Sequence, residues 1–261
     1  MLRSYLLKLI RSKGFYAAII LAAVLCATEP VQTFFRTGFK FFNDVVTTSN
    51  SIFEQTYFCL VISIMGAVPF AANFADEWKN GAITYYVTRC GVKKYAAVNV
   101  AVCAASSIIT VTAGMMIFVF AFHFVAWPLD ECDISSWFGR PYGAIAAAGF
   151  PYLYILARTI VFAAGNSVAA VFGMTFSAFI PDKYVAICTP LIFMTTIQTS
   201  ATMNPDLFNL IFPYLMKSWV PMFGNPLLEL LYTLAYFAVF IVIFGVIFMK
   251  AVERRVRCAN G

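Results

Sequence analysis

Six long apolar runs, broken by charge only at Arg158 and Glu229, occupy most of this chain: residues 15–28, 56–75, 95–122, 151–180, 184–203 and 227–249. A hydrocarbon layer ~30 Å thick is crossed by about 20 apolar helical residues, and lipid offers no partner to backbone groups left outside a helix or closed barrel. The runs therefore predict an all-α membrane protein with six transmembrane helices. At 62% hydrophobic and 11% charged residues in a chain of 261, a water-soluble fold could not hide the apolar surface. The first run is the shortest, because Glu29 and Pro30 follow it, and a full crossing there carries Glu29 to the outer interface. Its basic flank is like that of a secretory signal, but no small-x-small cleavage site follows, so a retained anchor is expected.

Cytoplasmic loops of membrane proteins carry the excess of Lys and Arg. With the N-terminus inside, Arg3, Lys8, Arg11, Lys13, Lys79, Arg89, Lys93, Lys94, Lys183, Lys250, Arg254, Arg255 and Arg257 are cytoplasmic, against Arg36, Lys40, Arg140 and Lys217 outside. Both termini are thus expected in the cytoplasm, in a multi-pass protein of the cell membrane. The net charge of +6 then reflects insertion and anionic lipid, with no nucleic acid implied.

The chain reads as a single domain, 1–261, without internal repeats. At the start, Leu2, Tyr5, Leu6, Leu9 and Ile10 recur at helical spacing while Arg3, Lys8 and Arg11 point elsewhere. Residues 1–13 are therefore expected to form an amphipathic interfacial helix. Segments 29–55, 123–150 and 204–226 are expected outside and 76–94 inside. The turn at Pro181, Asp182 and Lys183 is short enough to make the fourth and fifth helices a tight hairpin. Pro205, Pro213, Pro221 and Pro226 break the aromatic stretch 204–226, which suits an external broken or re-entrant segment. Gly165, Ala169, Gly173 and Ser177 place a small residue every four positions, a face for close helix packing. Ala97, Ala101 and Ala105 repeat the pattern in the third run.

No catalytic machinery is visible. Phosphate-loop, H-E-x-x-H, G-x-S-x-G and C-x-x-C patterns are missing, and Cys26, Cys59, Cys90, Cys103, Cys132, Cys188 and Cys258 have no metal-ligand or disulfide spacing. His123 is the only histidine. Arg158 is the ionisable group that stands deepest in a run. It can line a pathway, pair with Glu54 or Glu229, or snorkel to the headgroups.

Residues 73–100 read NFADEWKNGAITYYVTRCGVKKYAAVNV. This stretch resembles the permease subunits of type-2 ATP-binding-cassette transporters, in which F-x-x-E-x-x-x-G leads to a short apolar-aromatic helix, a basic turn and a Tyr. The matching positions are Phe74, Glu77, Gly81, Ile83, Tyr85, Tyr86, Arg89, Lys93, Lys94 and Tyr95. The resemblance extends to the order of parts along the chain, but departs from it in the short first run and the large loop after the third.

What it implies is a membrane-spanning permease that pairs with a second copy or a related permease and with separate ATPase subunits. ATP and Mg would sit on the ATPase, and this chain would bind no cofactor or metal. The implied coupling loop is 76–94, with Asp76, Glu77, Gly81, Ile83, Tyr85, Tyr86, Arg89, Lys93 and Lys94 toward the ATPase; Asp76 and Glu77 alternatively salt-bridge the interfacial helix. The implied activity is outward movement of an amphipathic substrate such as a peptide antibiotic or drug. A non-transporting sensor or scaffold using the same loop is the alternative. So is an ion-gradient-driven transporter, which predicts the paired intramembrane carboxylates that this sequence lacks.

Overall fold

The computed structural model describes residues 2–37, 44–125, 140–203, 212–217 and 223–260. Every regular element among them is helical, and the protein is an all-α membrane protein. In chain order the helices are α1 (Leu2–Arg11), α2 (Lys13–Cys26), α3 (Thr28–Thr37), α4 (Val45–Glu54), α5 (Thr56–Ala67), α6 (Asn73–Lys79) and α7 (Ala82–Cys90). They continue with α8 (Val92–His123), α9 (Gly143–Ala147), α10 (Pro151–Ser177), α11 (Lys183–Met203), α12 (Phe212–Lys217) and α13 (Pro226–Asn260).

Four stretches among the described residues are long and apolar enough to cross a membrane: Lys13–Phe35, Val92–His123, Pro151–Ser177 and Pro226–Cys258. The first is longer than its apolar run, because only Ala27 separates α2 from α3 and its amide still bonds back to Ala23 and Val24. Two expected crossings are less regular. The second is divided at Val68–Ala72, where Pro69 lacks an N–H; the bonds Ala71 N to Ala67 O and Asn73 N to Phe70 O carry the chain onward into α6. The fifth is α11, which has Pro190 inside it.

The bundle is organised around α10, which packs against α8, α11, α13 and α5. Its most apolar window is 83% buried, whereas that of α13 is 11% buried, which places α13 at the periphery of the bundle. The stripe predicted on α10 lies inside the bundle. A Cβ on Gly165 would come within 2.7 Å of the Met216 side chain on α12, and one on Gly173 within 2.4 Å of the Ala186 carbonyl on α11; Ala169 and Ser177 are buried. The matching expectation for α8 fails. Ala97 and Ala101 are exposed and Ala105 is half-buried, because the packed face of α8 holds Asn99, Cys103, Ser106, Ser107, Thr110 and Gly114. A Cβ on Gly114 would lie 2.6 Å from the Ala22 Cβ, so this glycine sets the crossing of α8 with α2.

Of the segment 204–226, expected to be external, α12 and residues 223–226 lie within the described residues; Pro205, Pro221 and the Cys132 loop lie outside them. α12 is a short piece of backbone covered by protein: Phe212, Leu215 and Met216 are buried in the same apolar cluster as α10.

Candidate functional site

At the Asn73 end of the bundle, three helices meet on one carboxylate. Glu77 of α6 is 5% exposed. Its Oε2 accepts from the Tyr5 hydroxyl of α1 at 3.0 Å and from the Tyr95 hydroxyl of α8 at 2.7 Å, and its Oε1 accepts from Asn73 Nδ2 at 2.9 Å. Lys8 Nζ stands 3.8 Å from Oε1 and donates to Asn73 Oδ1 at 2.6 Å, so the expected salt bridge to the interfacial helix is formed by Glu77. Asn73 also donates to Asn99 Oδ1, and Asn99 to the Tyr95 carbonyl. Such a network stabilises a carboxylate away from water only when its donors are all in place. Burial, then the Glu77 charge, pushes the Tyr5 phenol well above its ordinary pKa.

Rings continue the network into the next helix. Tyr86 of α7 stacks on Tyr95 with centroids 6.4 Å apart and lies 6.1 Å from Tyr5, which meets Phe70 edge-on at 5.7 Å. Ile83 and Val87 also point inward from α7. Each end of this helix is set by a glycine at positive φ, Gly81 at 68° and Gly91 at 78°, so the chain turns sharply into and out of it. The outward face is polar and aromatic: Thr84, Tyr85, Thr88 and Arg89, followed by Lys93 and Lys94, are exposed, and Arg89 Nη1 donates to the Tyr85 hydroxyl at 3.0 Å.

The nine residues expected to touch a partner therefore divide. Asp76, Gly81, Tyr85, Arg89, Lys93 and Lys94 are exposed. Glu77 and Ile83 are buried and Tyr86 is half-buried against Tyr5 and Tyr95, which withdraws them from the outer surface. Sequence reasoning missed Tyr5 and Asn99 as members of the network; a tyrosine on the apolar face of a helix is indistinguishable there from a lipid-facing ring.

Arg158, the other singled-out charge, is buried to 2% exposure, so it does not snorkel. Nor does it pair with Glu54, which binds Arg140 at 2.8 Å. Instead its guanidinium donates to Asn50 Oδ1 on α4, to the Tyr154 hydroxyl at 3.2 Å and to the Lys217 carbonyl on α12, with the Phe53 ring 5.2 Å away. Lys217 Nζ in turn donates to the Glu54 carbonyl. Arg158 thus ties two non-spanning helices to α10. Replacing it with Met keeps much of the volume and removes a buried charge, while taking one donor from each of three acceptors, of which Asn50 Oδ1 keeps the Tyr154 hydroxyl. The opposing terms make Arg158→Met a mild change, within about 2 kcal/mol by thermal unfolding in detergent. A larger loss would show that the charge itself holds α4 and α12 in place.

Among the described residues no group of three or more His, Cys, Asp or Glu is arranged to hold a metal ion. No protein family, curated protein or solved structure matches the chain.

Proposed function

We propose that this chain is the permease subunit of an ATP-driven exporter, set in the cell membrane with both termini in the cytoplasm. In this reading the membrane is crossed six times, by α2 with α3, α5 with α6, α8, α10, α11 and α13. The observation that carries the proposal is the construction of α7. A helix of nine residues stands between the short α6 and the 32-residue α8, held inward by Ile83, Tyr86 and Val87, with Tyr85, Arg89, Lys93 and Lys94 turned out. A partner that seats on the outer face moves α7, and Tyr86 and the Glu77 network pass the motion to α1 and α8. A loop that served only to hold positive charge would need none of these inward contacts.

The partner is an ATPase subunit that supplies ATP and Mg chemistry. A second permease copy, or a related one, completes the pathway. The substrate is amphipathic, such as a peptide antibiotic or drug, since aromatic and nearly uncharged spans are poorly suited to a highly charged polymer. Purification of the tagged chain from its native membrane, with mass spectrometry of what accompanies it and an ATP-hydrolysis assay, tests this. A phosphate-loop ATPase in near-equal amount, with activity, is the expected result. Recovery of the chain alone, or with a kinase or regulator, would sink the exporter reading in favour of a sensor or scaffold.

Within that complex the two tyrosines should separate. Tyr85→Ala removes an outward aromatic anchor and is expected to weaken ATPase association by about 2 kcal/mol, or roughly 30-fold, with no change in unfolding temperature. Tyr86→Ala removes an inward ring and should lower the unfolding temperature. Equal effects of both on association alone would mean that α7 is not seated as described.

A further inference from the structure

Between α10 and α11 the surface opens into a groove of about 630 Å³, within the size range of small-molecule sites. Phe172 and Phe176 form one wall, and Tyr184, Cys188, Ile192 and Thr196 the other. Its threonines do not make it polar. The Thr189 hydroxyl donates to the Val185 carbonyl and the Thr196 hydroxyl to the Ile192 carbonyl, one turn back in the same helix, so the groove is lined by methyl groups, rings and aliphatic chains.

One end of the groove, at Ile180 and Tyr184, reaches the turn between the two helices, and there the charge is positive. Lys183 is exposed, with its Nζ 5.1 Å over the Tyr184 ring. Asp182, the one acid in the turn, is already engaged: Lys79 Nζ lies 3.4 Å from it, and its other oxygen accepts from the Tyr184 amide. Arg255 of α13 closes over the same turn, donating to the Ala178 and Phe179 carbonyls. Among the described residues Lys183 makes no ion pair, while Arg255, held by those two carbonyls and with the Trp78 ring 5.2 Å away, adds positive charge to the same turn.

We propose that this groove holds an acyl chain of an anionic phospholipid, with the phosphate at Lys183 in the leaflet on that side of the bundle. The mouth matches an anionic headgroup in sign, and the walls match a hydrocarbon tail. A second copy of the chain is a poorer occupant. Two copies inserted in the same sense are related by an axis along the membrane normal, which would bring the Lys183 clusters together at one depth with like charge opposed.

Native mass spectrometry of the full chain in mild detergent, with phosphatidylglycerol or phosphatidylcholine added, tests the assignment. The parent protein should retain phosphatidylglycerol about fivefold better than phosphatidylcholine. Lys183→Glu, at an exposed helix start that favours an acid, should abolish this preference while both lipids are still retained. Ile192→Trp, which fills the groove, should lose both. On the unsubstituted chain, phosphatidylglycerol should slow alkylation of Cys188 in the groove and leave that of Cys258 unchanged. Cys188 reactivity indifferent to phosphatidylglycerol, or a lipid preference unchanged in Lys183→Glu, would overturn the proposal. So would an Ile192→Trp protein that changes from dimer to monomer with lipid retention intact, since the groove would then be an interface between copies.

Discussion

Glu77→Ala is expected to lower the stability of the folded chain by about 3–5 kcal/mol, the usual result of deleting one partner from a buried charged network. The substitution leaves the Tyr5 and Tyr95 hydroxyls and Asn73 Nδ2 facing a void that was their common acceptor, and takes from Lys8 its ion-pair partner. Three buried donors would then each lack a bond, at about 1–3 kcal/mol apiece before relaxation. The first element to leave should be α1, because Tyr5 and Leu9 are its two buried side chains and Tyr5 is held by Glu77. Proteolysis after Lys8 should therefore speed up while the spanning helices remain intact, and the unfolding temperature in detergent should fall. Glu77→Gln keeps an oxygen but turns an amide donor toward other donors, and should lose less. An alanine variant with parental stability and a protected α1 would show that the network is incidental to the fold.

How much of this was legible beforehand can be read from particular residues. The run lengths marked the four stretches long and apolar enough to cross a membrane, because the lipid constraint is set by the solvent and needs no tertiary information. The stripe on α10 was legible for a similar reason, since glycines at i and i+8 leave a helix face without bulk. On α8 the same logic chose the wrong face. Alanine is small enough to pack and apolar enough to face lipid, so Ala97 and Ala101 carry no directional signal. Ser106, Ser107 and Thr110 do carry one, because hydroxyls are turned from lipid when protein is available.

The stretch 76–94 shows a local rule that could have been applied. Neighbours on a helix diverge by about 100°, so Tyr85 and Tyr86 could not both face one partner. Arg158 was of another kind. Its acceptors, Asn50 and the Lys217 carbonyl, lie far away along the chain on helices that do not span the bundle, and no spacing rule connects them.

The close approach at Gly173 yields the second large effect. Pro190 has no N–H, so the Ala186 carbonyl, four residues earlier, loses its helical donor, and the proline ring forces it outward. That carbonyl points at Gly173: a Cβ there would sit 2.4 Å from its oxygen and 2.8 Å from Pro190 Cδ, closer than any relaxed contact. Both obstacles belong to backbone or a closed ring, so neither can rotate away. Gly173→Leu must separate α10 from α11 along the most buried helix of the bundle, and a loss of about 3 kcal/mol or more is expected. Gly14→Ala is the control, because its nearest atom is Ser12 Oγ at 3.5 Å, an ordinary contact, and it should be neutral or slightly stabilising. The proline's share is separable by a double-mutant cycle. In a Pro190→Ala background the Ala186 carbonyl regains its donor and the ring is gone, so Gly173→Ala should be milder there by about 1 kcal/mol than in the parent. An identical loss in both backgrounds would mean that the crossing is tight for reasons unrelated to the proline, and that the hairpin would close on Gly173 even around an unbroken α11.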